Sequence, residues 1–153
     1  MELDKLFSTF HDFDIVGLDS YDGRLVMTFR IPWGEMWDNF DFQIKVAFSG
    51  GQILGCKYFE WVDGTNSAGQ PNSIDKETTD YKTISKLGID IQRFKSCGED
   101  KFVFFCNGYD KVGGAELLIK ADSFELFDSG NKPIDTKEYQ VWHNDWWTFQ
   151  QKK

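Results

Sequence analysis

Apolar and polar residues alternate most regularly between Phe42 and Val62. Phe42, Ile44, Val46 and Phe48 alternate with Gln43, Lys45 and Ala47, Ser49-Gly50-Gly51-Gln52 follows, and Ile53 to Trp61 is a second apolar run. A period of two places one set of side chains on one strand face, and a Gly-Gly pair supplies the positive φ of a tight turn. The pattern predicts a hairpin here, within a sheet whose aromatic face must be covered.

The same period recurs elsewhere. Phe13 to Leu18 reads as a strand, with Gly17 marking a bulge or close approach. Ser20-Tyr21-Asp22-Gly23 is a turn, and Arg24 to Ile31 is a strand with Leu25, Met27, Phe29 and Ile31 on one face. Pro32 ends it, because proline has no N–H for a ladder. Trp33 to Asp41 reads as a loop, and Asp63 to Asp80, rich in Gly, Asn, Ser and Thr, as a mobile or functional one. Ile89 to Cys97, Lys101 to Cys106, Ala115 to Ala121 and Ser123 to Phe127 read as further strands, and Asp128-Ser129-Gly130-Asn131 as a turn.

Three stretches depart from that period. Leu3, Leu6, Phe7 and Phe10 have the spacing of a short amphipathic helix. Tyr81, Ile84 and Leu87 are helically spaced and Gly88 suits a C-cap, although Lys82 to Ile91 reads equally as a strand. Tyr139, Trp142, Trp146 and Phe149 share one face of a C-terminal helix, with Asp135 as N-cap and Glu138 completing a capping box. Burying those four side chains yields about 6–12 kcal/mol gross. Ordering the helix costs a similar amount, so it forms only when packed, and it is expected to cover an aromatic sheet face. The expected fold is one α+β domain over residues 1–153, mainly antiparallel, with about seven strands in a sandwich or open barrel.

Composition narrows the compartment and partner. The chain has 153 residues, 41% hydrophobic and 27% charged, which suits a single globular domain. No run of 18 apolar residues exists, and the start Met1-Glu2-Leu3-Asp4-Lys5 lacks the basic, apolar pattern of a secretory signal. Cys56, Cys97 and Cys106 are odd in number, without Cys-x-x-Cys spacing, so reduced thiols in the cytoplasm are expected. The net charge of −8 is uneven: residues 1–41 hold nine acids against three bases. That balance repels phosphate backbones, which argues against nucleic acid as a partner and permits a basic protein.

The candidate chemistries thin out on inspection. His11-Asp12 matches the central pair of metal phosphohydrolases, but only one other histidine, His143, exists to complete a ligand set. Asp12, Asp14, Asp19 and Asp22 lack calcium-loop spacing and a closing Glu. Glu35 and Asp38 between Trp33 and Trp37 offer the paired carboxylates of a glycosidase, in a chain with little room for a sugar cleft. The three cysteines lie in strand-like apolar runs, and His143-Asn144-Asp145 point in successive directions around a helix, so no nucleophilic triad is expected. No catalytic residue, metal or cofactor is assigned.

The order of the pieces resembles a group of small bacterial β-rich proteins that open with a short helix, His-Asp and an apolar strand, and end on an aromatic helix. The residues concerned are Phe10-His11-Asp12-Phe13-Asp14-Ile15 and Tyr139-Gln140-Val141-Trp142. Some such proteins resemble immunity proteins encoded beside toxins, so the resemblance implies a non-enzymatic binding role. The leading expectation is therefore a cytoplasmic protein that takes a basic partner, a toxin in the immunity case. Asp12, Asp14, Asp19, Asp22, Glu35 and Asp38 would steer it and Trp33 or Trp37 would anchor it. The alternatives are a carbohydrate-binding module stacking sugars on Trp33, Trp37, Trp61 and Tyr58, or a hydrolase.

Overall fold

The structure, a computed structural model, describes residues 1–153. Ten strands form one open, antiparallel sheet: β1 Phe13–Tyr21, β2 Arg24–Arg30, β3 Gln43–Ser49, β4 Gln52–Thr65, β5 Pro71–Thr78, β6 Asp90–Ser96, β7 Lys101–Asn107, β8 Val112–Lys120, β9 Ser123–Asp128 and β10 Pro133–Ile134. Their spatial order is β10-β9-β3-β2-β1-β6-β7-β8-β4-β5. The helices are α1 Leu3–Phe7, α2 Tyr81–Ser85 and α3 Thr136–Gln151, with a 3₁₀ helix over Pro32–Trp37.

The α+β class and the antiparallel pairing are as the patterning predicts; four details differ, the last being the seat of α3. The Gly50-Gly51 turn is not a hairpin, because β3 and β4 lie at positions three and nine of the sheet. Here the chain crosses between two five-stranded halves, and it crosses back between β8 and β9, where the Asp122 amide donates to the Ser49 carbonyl at 3.0 Å. Asp63 to Asp80 is no loop: β4 runs on to Thr65 and pairs with β5 along an outer edge. The count rises to ten mainly through β5 and the short β10.

The halves meet at a narrow seam. Strands β1 and β6 pair only at Phe13–Ile91 and Asp14–Asp90. Between the halves sits α1, whose Phe7 ring lies 5.9 Å from Phe48 of one half and 4.8 and 5.0 Å from Phe102 and Phe104 of the other. Short as α1 is, Leu6 and Phe7 are buried, so docking rather than propensity holds it.

Local signals explain the rest. Asp22 and Gly23, at φ of 53° and 72°, form the two-residue left-handed turn that suits the twist of β1 and β2. The β1–β2 register slips between Ile15 and Gly17, the expected bulge. The open reading of Lys82 to Ile91 resolves as helix α2, capped by the Asp80 carboxylate, and Gly88 follows at φ 65°. Asp135 caps α3 by accepting from the Lys137 amide at 2.9 Å. Among the other elements, α3 packs chiefly on the 3₁₀ helix, not across a sheet face. Tyr139 is buried against Trp33, with ring centroids 5.0 Å apart, and its hydroxyl bonds Thr9.

Candidate functional site

The sequence-nominated residues do not form one patch; they fall into three groups, and one group gains members from distant strands. Asp12 turns the chain from α1 into β1 at φ 66°, with its amide donating to the Ile91 carbonyl at 2.7 Å. That places its side chain over β6. Gln92 Nε2 donates to Asp12 Oδ1 at 3.0 Å and to Asp90 Oδ2. The β1–β6 register sets Asp90 opposite Asp14. Arg30 Nε lies 3.9 Å from Asp14 Oδ2, and its sheet neighbour Gln43 donates to Asp41 Oδ1 at 3.0 Å. An acidic strip of Asp12, Asp90, Asp14 and Asp41 thus crosses the seam, with Arg30 set into it. His11 lies at its end, Nδ1 at 2.9 Å from the Gln92 carbonyl and Nε2 at 3.5 Å from Asp12 Oδ2.

The electrostatics show carboxylates held at a cost. Partial burial pushes Asp14 upward from its ordinary value; Arg30 opposes this and the charge of Asp12 adds to it. Burial also raises Asp90, against the Gln92 bond and with help from Asp14 and Asp12. Like charges gathered with partial desolvation make this strip a candidate functional surface.

The second group lies toward the other end of β1, with Asp19 about 17 Å and Asp22 about 25 Å from Asp14 at strand spacing. Asp19 and Asp22 are exposed there. Asp19 borders a separate depression of about 560 Å³ with Tyr21, Arg24 and Lys45.

The third group sits under α3. Trp33 is 1% exposed and packs on Phe13, Tyr139 and His143. Its expected role as a partner anchor is corrected: it is a core residue, because Pro32 turns the chain inward after β2. Trp37 is 45% exposed, with its ring edgewise on Phe42 and Trp142. Glu35 is paired with Lys153, and Asp38 ends the 3₁₀ helix at φ 55°. Glu35 is thus engaged by the C-terminal Lys153 and Asp38 serves the turn through its backbone, and Trp33, Trp37 and Trp61 do not make one sugar-stacking platform, since Trp33 is inside.

The remaining chemistry is muted. Burial pushes the Cys56 thiol up to about 11 and raises Cys106 further, so neither is poised as a nucleophile. His143 Nε2 accepts from the Trp147 indole N–H at 2.8 Å, and no group of His, Cys, Asp or Glu is arranged to hold a metal ion. No helix is long and apolar enough to cross a membrane.

Asp90, Gln92 and Asp41 join the site without being singled out by the sequence pattern. Asp41 was visible as part of the acidic leading third; Asp90 and Gln92 reach the strip only through long-range pairing of β6. No family model, curated protein or solved structure matches this chain.

Proposed function

We propose that this chain is a non-enzymatic binding protein whose acidic strip takes a basic protein partner, the relation of an immunity protein to its toxin. The observation that carries the reading is the strip itself. Three carboxylates from the α1–β1 turn, β1 and β6 are brought together at the seam, with Asp41 two strands away beyond Arg30 and Gln43, and Asp14 and Asp90 stay there against desolvation and mutual repulsion. A cationic surface would relieve that repulsion and be steered by it. Asp19, Asp22, Glu35 and Asp38 lie outside this core and contribute at most to the long-range field. Three free thiols support a reducing, cytoplasmic setting.

The test is site-specific photo-crosslinking in the host cell, with the crosslinking residue replacing exposed His11 beside the strip. A captured protein of net positive charge is expected, with capture lost in the D12N/D14N/D90N variant. Capture of a neutral or acidic protein, or capture that survives the triple substitution, would reject the strip as the docking surface.

A further inference from the structure

We infer that the interface extends from the strip onto the uncovered outer face of β6, β7, β8, β4 and β5, where a depression seats an aromatic side chain of the partner segment whose basic residues lie on the strip. This rests on the strip reading and gives it a partner: an aromatic residue flanked by lysine or arginine.

The face is defined by register. Arg93 stands opposite Phe105, Phe105 opposite Glu116, Glu116 opposite Lys57, and Lys57 opposite Glu77. Neighbouring positions point the other way: Phe102 and Phe104 meet Phe7 of α1 inside the fold. No helix covers the outward row. Its charges alternate in sign, so the row has little net field of its own, and Phe105 is its one aromatic residue.

Asn107, Gly114, Phe59 and Asp75 make the next row. Gly114 contributes no side chain, and a Cβ at Gly113 would stand 1.9 Å from the Phe59 ring, which occupies that space. A depression of about 690 Å³ results, bordered by Phe59, Phe105, Arg93, Lys57, Glu116 and Gln92. Trp61 meets Phe59 edge-on at 5.1 Å and is 43% exposed, and the Arg93 guanidinium carbon lies 3.9 Å over Phe105. Trp and Arg beside an apolar floor are the residue types that dominate binding energy at interfaces.

Gln92 supplies the continuity. It borders this depression and donates to both Asp12 and Asp90 of the strip. A segment with its ring in the depression therefore has its neighbouring residues over carboxylates, and complementarity there requires cations.

The experiment is an NMR titration of the ¹⁵N-labelled full chain with two synthetic peptides at low salt. One is Arg-Lys-Arg-Trp-Gly and the other carries Ala in place of Trp. Both are expected to shift the amides of Asp12, Asp14, Asp90 and Gln92. Only the Trp peptide is expected to shift Gly113, Gly114 and the Trp61 indole, and to bind about tenfold tighter, an advantage lost in Phe59→Ala. If both peptides shift the strip alone with equal affinity, the inference is overturned and the strip reading stands. If neither shifts the strip, the strip reading falls and this inference with it. A soluble glycan that shifts Gly113, Gly114 and Trp61 where the Trp peptide does not would also overturn it.

Discussion

At the residue scale, Asp14 and Asp90 carry the argument, because both are raised by partial burial and by neighbouring acids. A carboxyl whose folded value lies above its unfolded one binds its proton more readily when folded. Stability is then favoured at acid pH and declines as pH rises from the unfolded value, near 3.8, through the raised ones. Replacing both by Asn should raise the melting temperature at pH 7. That gain should vanish below the unfolded value, where the wild-type carboxyls are already neutral; a loss at pH 7 would mean that the acids are structural.

His143 gives the opposite sign. Burial lowers its value, and its Nε2 accepts from Trp147, which it can do only while that nitrogen is unprotonated. Its contribution is complete above the ordinary value of 6.5 and is lost as pH falls below it. Trp fluorescence should therefore change as pH falls below 6.5, and His143→Gln should flatten that change. An unaltered pH profile in the variant would contradict this role.

The element scale shows what the sequence could and could not reveal. Residues with a local cause were legible: the β2 alternation, the Gly17 bulge, the Asp22-Gly23 turn and the Asp135 cap all sit where the pattern puts them. The cap supports a direct test, since Asp135→Ala should cost about 1 kcal/mol in denaturant unfolding, whereas Trp33→Ala should cost about 3–5 kcal/mol because it empties a buried indole site. Near-equal losses would contradict the burial of Trp33.

Gly50-Gly51 misled because glycine serves two purposes. A Cβ at Gly50 would meet Asp122 Oδ2 at 2.1 Å and one at Gly51 would meet Leu25 at 2.7 Å, so these glycines permit close approach at a crossing. Strand β5 was illegible for another reason. It lies on an edge with no buried face, so it carries no alternation, and charges such as Asp75, Lys76 and Glu77 blunt its open side.

At the scale of the whole molecule, the site lies at the seam between the two halves of the sheet. The β1–β6 seam has two paired positions, and the strip is built across it. Sequence supplied Asp12 and Asp14 and the surplus of acid before residue 42; only the register adds Asp90 and Gln92, and only the burial of Trp33 removes a supposed anchor. The surplus is thus sorted by folding into one gathered strip and several scattered acids.

That sorting is tested most directly by comparing two variants of equal net charge for binding to a lysine-rich histone at low and physiological salt. One carries D12N/D14N/D90N and the other D19N/D22N/D38N. The account predicts that the first loses about tenfold or more in affinity at low salt while the second loses only a small part of that. Equal losses in the two would show that overall charge, and not the strip, governs the association.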